Sequence, residues 1–447
     1  MAYKCSSSRL TPSAPFFSHV SNKREPFSFF YKPPTSNIIP CCTTYDSPSS
    51  SSSSSSPAAS YNPLNRRPFG GASSPEISRH WVEADQPNAY QGERFTVVSY
   101  NILADRNALK HKDLYTDVNP LYLKWAHRKK LICDELIGLN PDIICLQEVD
   151  KYFDLLMVME KAGYAGTFKG RTGGNVDGCA MFWKADKLRL LEGESIEFKA
   201  LGLRDNVAQL SVFETCKAEP RRLLVGNIHV LYNPSRGEVK LGQIRNLLSR
   251  AQILAEKWGD VPVILAGDFN STPKSPIYEF FASSELDVML YSRREMSGQR
   301  NCHPPQVFGV EKEMSNPLSL MEGFLNCWSD EELKTATGDS NYNLVTHALK
   351  LKSSYATVKG STRTRDLTGE PVATSYHSKF LGTVDYLWYS DGVVPIRVLD
   401  TLSFDILRKT GGLPSKELGS DHLALVSEFV FIPGASEGSH LITDELT

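Results

Sequence analysis

The chain has 447 residues, 41% hydrophobic and 22% charged, with a formal net charge of −2. That length holds one large α/β domain or two ordinary ones. The near-neutral balance excludes a global basic field, so any affinity for nucleic acid rests on local positive potential, and no apolar run reaches the roughly 18 residues of a membrane span.

Residues from Met1 to about Pro75 stand apart. They are rich in Ser and Pro, with an unbroken serine run from Ser49 to Ser56. Only Glu25 and Asp46 are acidic, against Lys4, Arg9, Lys23, Arg24, Lys32, Arg66 and Arg67. Such a segment cannot bury enough apolar surface to fold. It fits an organelle transit peptide (plastid or mitochondrion), and equally a plain disordered tail.

The folded part is expected over residues 93–434. Phe95 to Tyr100 is a β-type run ending at Asn101. A helix is expected after Pro120, with Leu131, Ile132, Leu136 and Ile137 at helical spacing, stopped by Asn140-Pro141. Asp142 to Leu146 reads as a buried strand leading to Glu148, and Tyr152 to Lys161 as a helix ending before Gly163. Cys179–Trp183, Val207–Phe213 and Leu223–His229 are further strands. A long amphipathic helix over about Glu238–Lys257 carries Leu241, Ile244, Leu248, Ala251 and Leu254. Val261–Ala266 follows as a strand. Tyr291 to about Tyr342 is polar and lacks apolar periodicity, which predicts an insertion or mobile loop. Strands resume at Thr383–Tyr389 and Leu423–Phe431, and Pro433–Thr447 is expected to fray. Strands alternating with helices predict a layered α/β domain with mixed sheets. The nine cysteines are scattered and lack zinc spacing. Cys133, Cys145 and Cys179 read as small core residues, and a reducing compartment suits the pattern.

Acidic, amide and imidazole residues recur at the strand ends: Ser99-Tyr100-Asn101, Leu146-Gln147-Glu148, Gly267-Asp268-Phe269-Asn270, Thr383-Val384-Asp385-Tyr386 and Gly419-Ser420-Asp421-His422. Phosphodiester hydrolysis needs an aimed water, neutralised phosphoryl charge and a stabilised leaving oxygen. A hard cation such as Mg²⁺ neutralises charge through oxygen ligands. Glu148 is the candidate ligand, and Asp421 can reach the metal from its loop. Asp268 and Asn270 share one side of an extended segment, where one can orient water and the other can donate to phosphate. Asp385 and His422 form a candidate carboxylate–imidazole pair. Asn227 and His229 share a strand face and can both contact phosphate. Bland alternatives stand beside each: a turn-forming Asn101, a solvated Glu148, a structural His229.

Together these motifs resemble the endonuclease/exonuclease/phosphatase superfamily over roughly Phe95–Phe431. The resemblance implies a four-layer α/β sandwich, two mixed β-sheets flanked by helices, and Mg²⁺-dependent phosphoester cleavage. It implies Glu148 as metal ligand, supported by Asn101 and Asp421, and Asp268 as the residue that positions or deprotonates water. It implies Asn270 and Asn227 as phosphate-contacting amides, and Asp385 with His422 as the charge-stabilising dyad. Ser99-Tyr100-Asn101-Ile102-Leu103-Ala104, Asp177-Gly178-Cys179-Ala180, His229 followed by Asn233-Pro234, and Leu351-Lys352-Ser353-Ser354-Tyr355 are similar to the carbon catabolite repressor 4 and nocturnin-type branch. That branch implies removal of adenylates from single-stranded poly(A) RNA in cytoplasm and nucleus, with an adenine held between Pro234 and Phe380 and Asp177 near the ribose. No leucine-rich repeat is visible, so any link to the carbon catabolite repressor 4–Not complex is expected to be indirect. Two alternatives accompany this reading. A nocturnin-like NADPH 2′-phosphatase would draw charge from Lys169, Arg171 and Lys240. A non-catalytic RNA- or partner-binding protein predicts a broken catalytic position, and none is evident.

Overall fold

The computed structural model describes residues 77–87, 92–310 and 328–432. The serine-rich 1–75 segment and the ending 433–447 lie outside the described residues. In chain order the elements are β1 (Trp81–Glu83), β2 (Arg94–Asn101), α1 (Asp105–Lys110), α2 (Trp125–Leu139), β3 (Ile143–Gln147), α3 (Tyr152–Lys161), β4 (Tyr164–Gly170), β5 (Gly178–Lys184), β6 (Leu188–Glu197), β7 (Val207–Thr215) and β8 (Arg222–His229). Then come α4 (Gly237–Lys257), β9 (Val263–Asp268), α5 (Pro276–Ser283), β10 (Glu285–Asp287), β11 (Leu344–Thr346), β12 (Lys352–Ser353), β13 (Ser375–His377), β14 (Phe380–Gly382), β15 (Asp385–Tyr389), β16 (Val393–Leu399) and β17 (Leu425–Phe431). No described helix is long and apolar enough to cross a membrane.

Two mixed sheets dominate. One has seven strands in the order β1-β16-β17-β2-β3-β5-β4, and the other six, β12-β15-β9-β8-β7-β6. Strand alternation builds the layers. Val97, Ile143, Cys145 and Met181 of the first sheet meet Leu223, Val225, Ile264, Ala266 and Leu387 of the second in a shared core. Their neighbours Val98, Ile144, Leu146 and Phe182 point the other way, against Ile132 and Leu136 of α2 and Leu155 and Met159 of α3. On the far side, Leu224, Ile228, Leu265 and Trp388 face Leu241, Ile244, Leu248 and Ala251 of α4 and Phe280 and Phe281 of α5. The expected four-layer α/β sandwich is therefore observed. Both faces of the central strands are covered, which is why they read as continuous apolar runs.

Three expectations need correction. The fold starts upstream of residue 93, because Trp81–Glu83 pairs antiparallel with β16. Arg79 locks this strap down: it donates to the carbonyl oxygens of Asp400 at 2.8 Å and Ala424 at 2.6 Å and to Glu135 at 3.2 Å. In α2, Ile132 and Leu136 are buried but Ile137 is exposed, so the apolar stripe is narrower than its spacing suggests. The described parts of the 291–342 segment are not merely a loop laid on the surface. Residues 311–327 lie outside the described residues, but Met296, Trp328 and Ala336 on either side enter the core beneath α4 and α5. The helix Asp330–Thr337 opens on a capping box between Ser329 and Glu332. Such isolated apolar residues, each packed against partners from other elements, leave no period to detect.

Arg79→Ala is expected to cost about 2–3 kcal/mol, the range for charged hydrogen bonds lost from a sheltered site. It should appear as a lower urea midpoint at unchanged slope, and a chain beginning at Arg94 should lose at least as much as one beginning at Ile77 keeps. An unchanged midpoint would show that the strap is ornamental.

Candidate active site

The site lies where strand ends converge. β2 and β3 run parallel, as do β8 and β9, so their carboxyl ends point the same way. Asn101 ends β2, Glu148 follows β3, His229 ends β8 and Asp268 ends β9. β15 runs antiparallel to β9 and sets its first residue, Asp385, opposite Asp268. β17 runs antiparallel to β2, so the loop just before it, with Asp421 and His422, arrives at the same end. Arg128 of α2 fastens that loop to the one after β2, donating to the carbonyls of Ile102 and Leu103 at 2.8 Å each and of Gly419 at 3.4 Å.

A cavity of about 310 Å³ opens there, within the size range of small-ligand sites. Glu148, His229, Asp268, Asn270, Phe380, Asp421 and His422 line it. Asn101 is buried behind them and braces both sheets: its Nδ2 donates to Glu148 Oε1 at 3.2 Å and to Asp268 Oδ2 at 3.0 Å. Its Oδ1 accepts from the Leu103 amide, so as placed the side chain orients carboxylates and turns no oxygen to the cavity. Glu148 Oε2 accepts from Asn107 Nδ2 at 2.7 Å and from the Ala104 amide at 3.1 Å. His229 Nε2 lies 3.5 Å from Asp268 Oδ2. Asp385 Oδ2 accepts from Thr374 Oγ1 at 2.6 Å and pairs with His422 Nδ1 at 2.8 Å. Leu103, Glu148 and Asn270 have positive φ of 56°, 54° and 48°. Left-handed backbone at non-glycine residues costs of order 1–3 kcal/mol each and persists where the surroundings over-determine it.

The charges are unevenly matched. Burial would push the Glu148 carboxyl up, but His229, His422 and the hydrogen bonds from Asn107 and Ala104 hold it below the usual carboxylate range. Burial pushes Asp421 up, against His422, Tyr115 and Arg128. Burial alone would also lower His422, but the Asp385 ion pair and hydrogen bond, with Asp421 and Asp268 nearby, carry it up to about 10. His422 is thus an imidazolium at neutral pH, oriented through Nδ1. Glu148, Asp268 and Asp421 face the cavity as an oxygen-rich set with the His422 imidazolium and the Arg128 guanidinium nearby, and such a donor set fits a hard divalent cation. Asp268, Asp385 and His422 also bring ligating atoms within 4.8 Å of one another. The Asp385–His422 hydrogen bond already occupies one atom of each, and Glu148 and Asp421 line the cavity whereas Asp385 stands behind it, which favours the first two as oxygen ligands.

Three expected contacts fall elsewhere. Asn227 is fully buried between the sheets, with Nδ2 donating to the carbonyls of Leu146 at 3.1 Å and Ala180 at 2.9 Å. Both amide hydrogens are spent there, so it fastens the sheets and does not reach a phosphate. Asp177 pairs with Arg171 at 3.3 Å, and it is Arg171 that lines the cavity. Pro234 is not among the cavity's lining residues; Tyr232, two residues earlier and 55% exposed, takes a place there beside His111 and Phe380. The structure adds residues that motif reading missed. Asn107 holds Glu148, Tyr115 donates to Asp421 Oδ2 at 2.8 Å, and His377 and Gln299 line the cavity. They come from loops, short helices or, for His377, the short strand β13, with no motif of their own; only Tyr232, close to Asn233-Pro234, carried a positional hint.

The chain is similar to several known proteins. A profile of the Endonuclease/Exonuclease/phosphatase family matches residues 98–422. The chain is 61% identical over 375 residues to carbon catabolite repressor protein 4 homolog 3 of Arabidopsis thaliana, covering 83% of this chain and 83% of that one. It is 26% identical over 431 residues to the CCR4-Not complex 3′-5′-exoribonuclease subunit Ccr4 of Phaeosphaeria nodorum, covering 80% of this chain and 64% of that one. Among solved structures it is similar to ANGEL2, a 2′,3′-cyclic phosphatase, in complex with adenosine-2′,3′-vanadate. The identity there is 30%, the TM-score 0.64, and the coverage 79% of this chain and 99% of that one.

Asp385→Asn should remove the charge that holds His422 protonated. The pair's stabilisation is complete below the ordinary imidazole range and fades as pH rises through about 10. Without Asp385, burial draws the imidazole down, so the alkaline limb of a pH–rate profile should move to lower pH. A limb that stays in place would detach His422 from the chemistry.

Proposed function

The chain belongs to the endonuclease/exonuclease/phosphatase family, whose members are metal-dependent phosphoester hydrolases, and from that premise we propose that it is a Mg²⁺-dependent 3′→5′ exoribonuclease that shortens poly(A) tails. One observation carries the reading: the carboxylate and imidazole cluster shares a single cavity with Phe380 and the exposed Tyr232. A hydrolytic centre with aromatic walls beside it suits the end of a flexible single strand, since every base has a face to stack. The similarity to a 3′-5′-exoribonuclease subunit supports the direction of attack. The adenosine-2′,3′-vanadate of the ANGEL2 complex supports adenine as the base.

In this reading Glu148 and Asp421 hold Mg²⁺, which when bound neutralises phosphoryl charge. Asp268, steadied by Asn101, aims a water at the terminal phosphorus and takes its proton. Water oxygen bonds to phosphorus as the bond to the 3′ oxygen of the penultimate residue breaks. The 3′ oxygen of the shortened strand takes a proton from solvent to become a hydroxyl, and the last nucleotide leaves as 5′-AMP. Asn270 and His229 donate toward the phosphoryl oxygens, and the His422 imidazolium, held by Asp385, offsets their charge. The partner is single-stranded RNA, with association to a carbon catabolite repressor 4–Not complex indirect. Cytoplasm and nucleus follow the family, and a fluorescent fusion with and without residues 1–75 decides between them and an organelle.

A second reading is hydrolysis of a terminal 2′,3′-cyclic phosphate, favoured by the similarity to ANGEL2. The NADPH 2′-phosphatase reading has less support. Lys169 pairs with Glu197 on the surface, Lys240 is fully buried, and only Arg171 of the three expected cations lines the cavity. A binding-only protein would have no need of the intact dyad and braced carboxylates.

Recombinant Ile77–Thr447 should shorten labelled oligo(A) in Mg²⁺ faster than oligo(U) or oligo(C), stop in EDTA and recover when Mg²⁺ is restored. Oligo(A) bearing a 2′,3′-cyclic phosphate and NADPH complete the panel. No shortening of any RNA, with release from the cyclic end alone, would replace the first reading by the second. Glu148→Ala should lower the rate by about a thousandfold or more at near-parental stability, as for loss of a main charge-stabilising element. Tyr232→Ala should raise KM for oligo(A), by about 1–3 kcal/mol if it stacks a base.

A further inference from the structure

Asn270 reaches the cavity from the turn after β9, and the direction of its amide decides what it can do there. An N–H turned to a phosphoryl oxygen attracts it; a C=O in the same place repels it. The side chain alone has no preference, because an amide is nearly symmetric in shape.

The surroundings remove that ambiguity. Lys240 of α4 is fully buried; burial draws its ammonium down to about 7, opposed by Asp268, and as the ammonium it can only donate. Its Nζ donates to the Asn270 backbone carbonyl at 2.7 Å and to Gln299 Oε1. Ser297 Oγ gives Gln299 Oε1 a second donor at 3.2 Å. With its oxygen so engaged, Gln299 must turn Nε2 to Asn270, where it donates to Oδ1 at 3.0 Å. Asn270 is then left with Nδ2. One of its hydrogens goes to the Val230 carbonyl at 3.0 Å, and the second has no protein acceptor among the described residues.

The segment bearing Gln299 is built to sit there. The Thr272 amide donates to the Ser297 carbonyl at 2.9 Å. Gly298 has φ of 67°, and a Cβ on it would come within 2.1 Å of Thr272 Oγ1. Glycine thus lets the chain press against the turn that carries Asn270.

We propose that Lys240 and Gln299 are positioning residues that set the polarity of the Asn270 amide, so that it presents N–H to the substrate phosphoryl group. The inference rests on the site's reading as a phosphoester-hydrolysing centre. It gives the polar 291–342 segment a catalytic purpose: supplying the glutamine that orients the asparagine.

The decisive variant is Gln299→Glu, which keeps the acceptor for Lys240 and replaces the donor facing Asn270 by an oxygen. The Asn270 amide should then turn over, lowering kcat about ten- to hundredfold with KM within about threefold, since a donor to transition-state charge is worth about a hundredfold or more. In an Asn270→Ala background the same change should cost less than about twofold, because coupled residues are not additive. Gln299→Met, which keeps the volume and drops the hydrogen bonds, is the second variant if the glutamate unfolds the turn. Rates are read on oligo(A) and on thymidine 5′-p-nitrophenyl phosphate. Selective ¹⁵N-asparagine labelling reads the Asn270 amide without turnover, and its two proton shifts should move in Gln299→Glu. Should the parent cleave neither substrate, the functional reading fails while the amide spectrum still decides the orientation. Parental kcat in Gln299→Glu, full multiplicativity with Asn270→Ala, or an unmoved amide spectrum would overturn the proposal.

Discussion

Asn227 sits on β8 in one sheet and gives its amide hydrogens to Leu146 and Ala180 in the other, while accepting from Gln147 Nε2 at 2.9 Å. Apolar packing between two sheets is strong but non-directional, and it tolerates sliding. A buried amide does not, because an unpaired polar group there costs about 1–3 kcal/mol. This fastener lies directly behind the catalytic end. It fixes the offset between β3, which leads into Glu148, and β8 and β9, which carry His229 and Asp268. Asn101 repeats the device one layer nearer the cavity, joining a carboxylate from each sheet.

The cluster so assembled is held against its own preferences. Several carboxylates are brought together out of water, where burial pushes Asp421 and Asp385 toward the neutral form. Three residues around the cavity also occupy left-handed backbone. The compensation is spread over the fold. Arg128 grips both loops, Tyr115 satisfies Asp421, Asn107 satisfies Glu148, and Asp385 holds the His422 imidazolium. Rigid preorganisation of this kind lets the site meet developing charge without moving. The amide of Asn270 belongs to the same pattern, since its direction is imposed by neighbours.

Much of the architecture was legible in the sequence. Runs such as Phe95–Tyr100 and Leu223–His229 read as strands because both faces are buried, and α4 read as a helix because its apolar residues recur on one face. The residues that line the cavity were legible as candidates for a related reason: a carboxylate, amide or imidazole at the end of a buried strand is costly unless something there compensates it. Where reading failed, sequence and contact had come apart. Asn227 has the same residue type and strand position as a phosphate contact, and only its burial shows otherwise. The 291–342 segment looked like an insertion because Met296, Trp328 and Gln299 find their partners on distant elements.

The chain by itself determined which groups are available and at which strand ends they sit, because alternation and turn chemistry are local properties. Tertiary structure decided which of them share a cavity and which way each amide faces. Those choices depend on pairs far apart along the chain, Asn101 with Asp268 at 167 residues and Tyr115 with Asp421 at 306. The hydrogen bond that selects an amide's direction comes from a neighbour that local sequence does not reveal.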